Sequence, residues 1–277
     1  MTTEEIKAID CWVNPNPPEI AAKKWAPSHM QTVGKRVFKN LDFLVHGTSI
    51  EQMVEDMGAA GIEKGIITSS LSGVPVETML DVLNRYPDKF IGSMGVDGHR
   101  GMETVRLIDS VVRNNNVQLV RIVPDLTNTP SNHKSWYPVY AKCCELGIAV
   151  SVTVGIPGPP LPAECQNPIY LDEVIQYFPE LTIIATHMGH PWTDVLISLM
   201  LHYPNLSLMT SAWAPKYYPQ NIIHFMNTRG ADQVMFATDW PLLTFERCMR
   251  EVADLPLKPE IRRKFLRDNA LRLFHWD

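Results

Sequence analysis

Short apolar runs rich in β-branched residues alternate along this chain with longer segments in which apolar residues recur at helical spacing. The first pattern is typical of buried strands and the second of amphipathic helices. It predicts eight strands, at residues 8–13, 64–70, 90–97, 117–124, 148–155, 181–188, 206–213 and 233–240. It also predicts helices between them, among others at residues 50–60, 76–86, 102–114 and 192–202.

The regular order of strands and helices indicates the fold class. From residue 64 onward the predicted strands begin about every 24 to 34 residues, which leaves one helix between consecutive strands and predicts a parallel α/β sheet. Such a sheet can be open and doubly wound, or closed. We favour a single (β/α)8 barrel of the TIM type over residues 1–277. No glycine-rich phosphate loop follows a predicted strand, and polar residues collect at the carboxyl ends of many strands.

One long segment interrupts this order. Residues 14–49 follow the first predicted strand and far exceed an ordinary loop between a strand and a helix. Such a loop is expected to lie over the mouth of the barrel as a partial lid, or to form a contact surface with another subunit. The sequence leaves both interpretations open.

Composition limits the partners that the barrel can have. The chain is 45% hydrophobic and 20% charged, and no apolar run reaches the roughly 20 residues that cross a bilayer. Its formal net charge is −5, and it has no block of Lys or Arg that would bind nucleic acid. We therefore expect a small-molecule substrate and neither a membrane nor a nucleic-acid partner.

Two features bear on the cellular compartment. The five cysteines are odd in number and contain no CxxC pair, which favours reduced thiols over a disulfide scaffold. Residues 1–5 are polar and acidic and lack the basic and apolar pattern of a signal peptide. A cytoplasmic protein is expected.

The strongest candidate chemistry lies at the ends of the sixth and eighth predicted strands. His187 is near the end of the sixth and Asp239 near the end of the eighth, and in a barrel both ends face the same mouth. Neutral imidazole and carboxylate groups bind Zn²⁺ or Mn²⁺ and also transfer protons. We predict both residues to be catalytic and to be metal ligands. In the structural alternative, His187 is a hydrogen-bonded strand-end histidine and Asp239 caps the next turn.

The chain resembles the amidohydrolase-related family, in the branch that includes aminocarboxymuconate semialdehyde decarboxylase and several aromatic acid decarboxylases. The resemblance covers essentially the whole chain. Four motifs carry it: Ile9-Asp10, HMGHPWTD at residues 187–194, FATDWP at residues 236–241 and FLRDNALRLF at residues 265–274. It implies a (β/α)8 barrel, and the last motif resembles the terminal helix of that family.

The resemblance also implies a set of metal ligands that this chain matches only in part. In the family the first strand ends in a His-x-His pair, the fifth and sixth strands each contribute a His, and the eighth contributes an Asp. His187 and Asp239 match the last two positions, whereas Trp12 and Asn14 stand in place of the His pair and Thr153 lies near the end of the fifth strand. An indole nitrogen only donates, and neutral amide and hydroxyl oxygens are weak ligands. We therefore expect a depleted or altered site with one divalent metal, zinc or manganese, or with none.

Completing such a shell would require Cys11, His46, His190 or a partner chain. Because residues alternate in direction along a strand, an inward Cys11 would turn Trp12 outward.

Several residues of the predicted mouth suit a small acidic or aromatic substrate. Arg121 on the fourth strand can bind a carboxylate in bidentate geometry, or can pair with a structural acid such as Asp125 or Asp97. The loop at residues 211–219 presents aromatic and cationic groups, which suit either a substrate or a subunit interface. The predicted substrate-binding residues are Trp12, Asn14, Arg121, His190, Trp213, Lys216 and Tyr217.

These observations predict an enzyme that hydrolyses or decarboxylates a small carboxylate, amide or lactone. His187 and Asp239 would activate water or protonate a carbanion. In the alternative that the resemblance implies, the chain is a non-catalytic structural or regulatory subunit of a hetero-oligomeric metalloenzyme, such as an oxygenase, whose partner holds the full metal site. Either way, a homo- or hetero-oligomer with a homologous barrel is expected.

Overall fold

Eight parallel strands pair in sequence order in the computed structural model, which describes residues 6–274 and 276. The polar start at residues 1–5, on which the expectation about a signal peptide depends, lies outside the described residues. The strands are β1 (Ala8–Val13), β2 (Ile62–Thr68), β3 (Phe90–Gly95), β4 (Val117–Ile122), β5 (Ala149–Thr153), β6 (Ile183–Thr186), β7 (Leu206–Met209) and β8 (Val234–Met235).

Contacts between the first strand and the chain after the last one close the sheet. Val13 forms a parallel bridge with Trp240, and the Cys11 amide donates to the Phe236 carbonyl at 2.9 Å. The molecule is therefore the predicted (β/α)8 barrel.

Helices follow the strands as the sequence pattern predicts. They are α1 (Pro18–Lys24), α2 (Ser28–Val33), α3 (Leu41–His46), α4 (Ile50–Ala59), α5 (Val76–Arg85), α6 (Met102–Asn114), α7 (Pro124–Thr127), α8 (Tyr137–Leu146), α9 (Tyr170–Tyr177), α10 (Thr193–His202), α11 (Gln220–Met226), α12 (Phe245–Ala253), α13 (Pro259–Arg263) and α14 (Asn269–Phe274). The four helices predicted by residue range are confirmed as α4, α5, α6 and α10, within one residue at each end.

Several strands end earlier than the apolar runs suggest. The eighth run was expected over residues 233–240, yet only two of its residues form β8. Beyond β8 the backbone leaves the ladder and enters a turn in which Asp239 has a left-handed φ of 64°. Polar residues beyond the rim of the barrel thus belong to the loops that build its mouth.

Two large buried clusters hold the barrel together. One fills its interior with a residue from each strand, such as Ile9, Ile66 and Leu119, and also includes Phe274 of α14. The other lies between the strands and the surrounding helices and includes Val120. The adjacent residues Leu119 and Val120 face opposite sides, as the two-residue period of a strand requires.

Residues 14–49 contain three of the helices and pack against the loop that follows β8; we call this segment the lid. Ala21, Trp25 and Leu44 form a small buried cluster of their own, against which Leu242 packs. The Asn40 side-chain amide donates to the carbonyls of Pro241 at 3.2 Å and Leu242 at 2.8 Å. The lid is thus docked beside the carboxyl end of β8, on the side of the barrel where His187 and Asp239 lie.

All five cysteines are free thiols, as expected from their odd number. Among the described residues, no helix has the length and apolar character that a membrane span requires.

Candidate active site

A cavity of about 440 Å³ opens between the carboxyl ends of the strands and the lid. Polar residues from several strand ends form its floor, and they are Asn14, Arg121, Asp125, Thr153, His187 and Asp239. Trp25, Met30 and Phe38 of the lid and Trp213 of the loop after β7 contribute apolar walls. A second cavity of about 490 Å³ lies at the other end of the barrel, near Thr182, Asn205 and Gln233. Active sites of such barrels lie at the carboxyl ends of the strands, so the first cavity is the candidate site.

His187 enters this cavity from an unusual turn. It directly follows β6, and His187, Met188 and Gly189 have successive left-handed φ angles of 67°, 65° and 67°. Ser211 Oγ lies 2.8 Å from His187 Nδ1 and fixes the ring. Burial lowers the pKa of His187, with a further lowering by Arg121, while the charge of Asp239 opposes this shift. The neutral imidazole is therefore favoured at neutral pH.

Asp239 is held from one side by an amide. Its own backbone is left-handed, and the residue is only 7% exposed. Asn14 Nδ2 donates to Asp239 Oδ1 at 2.7 Å, and Asn14 Oδ1 in turn accepts a hydrogen bond from Thr68 Oγ1 at 2.5 Å. Among the described residues no donor reaches Asp239 Oδ2. One carboxylate oxygen is thus positioned by the barrel while the other is left for the cavity.

Arg121 lies on the cavity floor against an indole ring. Its guanidinium carbon is 4.2 Å from the centroid of Trp12, a cation–π contact. Burial lowers the pKa of Arg121 to about 10, against the opposing charges of Asp239 and Asp125. Arg121 Nε and Trp12 Nε1 are buried without a hydrogen-bond partner among the described residues. No described acid lies within salt-bridge distance of Arg121, so the predicted pairing with Asp125 or Asp97 is not formed.

Trp12 departs from the alternation expected along β1. The pairing of β1 with β2 is irregular between Asp10 and Val13. Cys11 and Trp12 consequently belong to the same buried interior cluster, although the sequence predicts that they face opposite sides. The Trp12 ring reaches His187, with 5.1 Å between ring centroids. A bulged strand end thus places Trp12 against His187 and Arg121 without turning Cys11 outward. Trp12 is only 1% exposed and lies outside the cavity lining, so the structure does not place this predicted substrate-binding residue in contact with the cavity.

Lys24 is a cavity residue that sequence reasoning missed. It is the last residue of α1 in the lid, and its half-buried side chain lines the cavity. Burial lowers its pKa to about 8, with Asp239 opposing and Arg121 adding to the shift. In the sequence, the pair Lys23-Lys24 directly before Trp25 could have indicated a cationic cavity residue in the segment after β1. Only the structure shows that Lys24 is the lysine that faces the cavity.

The remaining predicted substrate-binding residues divide into two groups. Trp213 is half-buried in the cavity wall, and Tyr217 lies at its rim with 61% of its surface exposed. His190 and Lys216 are exposed and lie outside the cavity lining. The His190 ring is turned onto Trp213, with 5.4 Å between ring centroids. Lys216 Nζ lies 4.0 Å from Glu251 Oε1 and 4.9 Å from the centroid of the Tyr217 ring.

The side chains on the floor do not form a set of ligands for a divalent metal. Among the described residues, no group of three or more His, Cys, Asp or Glu side chains could hold one. Asn14 directs its NH₂ group, which has no lone pair to offer, at Asp239. Lys24 and Arg121 add two positive charges to the same cavity and would repel a dication. His187 and Asp239, the two predicted ligands, therefore lack the further donors that a catalytic metal needs.

Comparisons with known proteins agree with this architecture. The family model described as amidohydrolase matches residues 9–276. An uncharacterised TIM-barrel protein from Bordetella bronchiseptica is 27% identical, with 98% of this chain and 99% of that chain covered and a TM-score of 0.82. No curated protein matches the chain in sequence.

Two more distant structures share the fold. One is 5-carboxyvanillate decarboxylase from Novosphingobium aromaticivorans with manganese and 4-hydroxy-3-methoxy-5-nitrobenzoic acid, at 18% identity, 99% coverage of both chains and a TM-score of 0.73. The other is a probable 2-pyrone-4,6-dicarboxylic acid hydrolase from Acinetobacter baumannii with citric acid, at 15% identity, coverage of 98% of this chain and 100% of that one, and a TM-score of 0.69. The barrel and the family model, which spans nearly the whole chain, lead to one conclusion: this chain belongs to the amidohydrolase family.

Proposed function

We propose that the chain is an enzyme that hydrolyses a small carboxylate-bearing ester or lactone, with Asp239 as the proton-transfer group. One observation carries this proposal. Asp239 is fixed through Oδ1 by Asn14, keeps Oδ2 for the cavity, and shares that cavity with the cation of Arg121 and the imidazole of His187. A positioned carboxylate beside a cation and a neutral imidazole is a general base with an adjacent anion site.

The geometry supports a division of roles for hydrolysis. Arg121 binds the carboxylate of the substrate, since it lines the cavity without a salt bridge to a described acid and a guanidinium matches a carboxylate. Asp239 removes a proton from water as the water oxygen bonds to the acyl carbon, and later returns that proton to the leaving oxygen as the ester bond breaks. If Ser211 donates to His187 Nδ1, then Nε2 carries the proton and can donate to the oxyanion.

Decarboxylation is the second candidate, because the same carboxyl group in its protonated form can protonate a carbanion after CO₂ leaves. A structure of similar fold is a decarboxylase and another is a probable pyrone hydrolase, so both reactions have precedents on this barrel. Hydrolysis is preferred here because it needs only a base and an oxyanion donor. Decarboxylation also needs an electrophile that accepts the electrons of the broken bond.

The test is an activity screen of the purified chain. Lactones and esters that carry a carboxylate are assayed for acid release, and aromatic and unsaturated acids for CO₂ release. Turnover that disappears in Asp239→Asn and persists in the exposed control Asp254→Asn is the expected result. No turnover by the chain alone, with full activity of a mixture with a homologous barrel even after Asp239→Asn, would instead support the non-catalytic subunit.

Metal content gives an independent measurement. We expect elemental analysis of the purified chain to find far less than one zinc or manganese per chain, because amide and cationic groups surround Asp239. A stoichiometric metal that is lost in Asp239→Asn and His187→Ala would contradict this part of the proposal.

A further inference from the structure

Two cations from different parts of the chain face the candidate cavity. Lys24 comes from helix α1 of the lid, and Arg121 comes from strand β4 of the barrel. Neither forms a salt bridge with a described acid, whereas the cavity residue Arg247 is paired with Glu251 at 2.9 Å. The charge of Asp239 acts on both cations at longer range, yet burial still lowers the pKa of each. Half-buried cations that lack a directly paired acid are costly, which makes an anionic ligand a suitable complement of this pair.

The side chain of Lys24 packs against the loop after β2 and the ring of Trp25. A Cβ on Gly73, in the loop after β2, would lie 3.6 Å from both Cδ and Cε of Lys24. The aliphatic stem of Lys24 therefore lies along that loop, and its ammonium group is 5.5 Å from the centroid of the Trp25 ring. Its neighbour Lys23 on the same helix is exposed. Only one of the two lysines is thus directed at the cavity.

We propose that Lys24 and Arg121 form a single anion site shared between lid and barrel, and that it binds the carboxylate of a small, partly apolar molecule. Binding then joins the lid to the barrel floor, because the same anion contacts both cations. The apolar walls from Trp25, Phe38 and Trp213 receive the rest of the molecule. This inference rests on the proposed function only in taking the bound carboxylate to be that of the substrate.

Binding is tested with benzoate and with its neutral isostere benzamide. Benzoate affinity is measured by calorimetry for the wild type, Lys24→Met and the matched control Lys23→Met. We expect about tenfold weaker benzoate binding in Lys24→Met, from the loss of one charge-assisted contact. Benzoate affinity in Lys23→Met and the weak binding of benzamide in all three proteins should be unchanged. Lys24→Arg should restore most of the benzoate affinity.

The link between lid and barrel has a separate readout. Hydrogen exchange of α1 amides should slow when benzoate binds the wild type and Lys23→Met, and should not change in Lys24→Met. Equal benzoate affinity in Lys24→Met and Lys23→Met would overturn the proposal, and so would equal slowing of exchange in both.

Benzoate binding requires no turnover, so this experiment and the activity screen fail separately. If Lys24→Met did not weaken benzoate binding, the proposal of Asp239-dependent hydrolysis would still stand. If the activity screen found no hydrolysis but Lys24→Met weakened benzoate binding, the anion site would stand and its ligand would not be a hydrolysed substrate.

Discussion

Two buried carboxyl groups lie where β1 meets the loop after β8, and their surroundings are opposite. Asp10 is fully buried within the barrel wall. It accepts hydrogen bonds from the amides of Trp12 and Thr238, both at 3.0 Å, and from Thr238 Oγ1 at 2.5 Å. Asp239 accepts one side-chain hydrogen bond, from Asn14, and borders a cavity that also contains two cations.

This contrast separates an acid with a structural role from the acid that we propose to act in catalysis. Both oxygens of Asp10 are occupied, and the bonds that they accept tie β1 to the turn that carries Asp239. Asp239 has an oxygen left for a ligand, in a left-handed turn of the kind that is retained at functional sites. Residue type and burial are nearly the same for the two, so hydrogen-bond partners and access to the cavity determine their roles.

The largest expected effect is on catalysis. Asp239→Asn removes the proton-transfer group but keeps its size, so we expect kcat to fall by about 10²- to 10⁴-fold. The free energy of unfolding should change by less than about 1 kcal/mol, because Asn14 still has an oxygen to donate to. Steady-state kinetics and urea unfolding measure the two quantities. A large loss of stability with normal kcat would reverse the roles assigned to Asp239 and Asp10.

The next effect is on stability. Asp10→Ala leaves the buried amides of Trp12 and Thr238 without their acceptor, and we expect the free energy of unfolding to fall by roughly 3 kcal/mol. Urea unfolding of this variant beside Asp239→Ala provides the comparison. If the two variants lose equal stability, the distinction between a satisfied and an available carboxylate is wrong.

The main features of the fold and part of this site follow from the sequence. The alternating pattern was sufficient to predict eight strands, four helices and a long segment after β1, for which a lid was one of two interpretations. It also placed His187 and Asp239 at the same mouth, because the carboxyl ends of parallel strands meet there. These predictions depend on periodicity and topology, which a single sequence records directly.

Other features of the site depend on local geometry that periodicity does not record. Trp12 reaches His187 because β1 is irregular between Asp10 and Val13, whereas regular alternation would have separated Trp12 from Cys11. Lys24 enters the cavity because of how α1 docks, a tertiary contact between the lid and the loop after β2. His190 has the expected place in the chain, yet its ring is turned outward onto Trp213.

The pH dependence of the unfolding free energy tests the buried environment of Asp10. Burial raises the pKa of Asp10 from 3.8 to about 7. The charge of Asp239 also raises this pKa, whereas the hydrogen bonds from Thr238 and Trp12 lower it. The folded state therefore binds more protons than the unfolded state in this window, and the contribution of Asp10 to stability falls as pH rises. Relative to Asp10→Asn, we expect the wild type to lose about 2 kcal/mol of unfolding free energy between pH 5 and 7.

The difference in unfolding free energy between the wild type and Asp10→Asn excludes the contributions of other titrating groups. His187 has a lowered pKa, which makes stability rise with pH and acts in the opposite direction. That contribution is common to the wild type and Asp10→Asn and cancels in the difference. A difference that is constant from pH 5 to 7 would mean that Asp10 does not carry a raised pKa.

The smallest expected effect tests the hydrogen bond that the Asp239 carboxylate accepts from Asn14. Asn14→Ala removes the amide that donates to Asp239 Oδ1 and breaks the chain from Thr68 through Asn14. We expect kcat to fall about tenfold, since the carboxylate remains but loses its orientation. Thr68→Val serves as the control one step further out, and should lower kcat less, because Asn14 also donates to the Trp240 carbonyl at 2.9 Å and keeps its place. If Thr68→Val matched or exceeded Asn14→Ala, the orientation of Asp239 would have to depend on β2 rather than on the Asn14 amide.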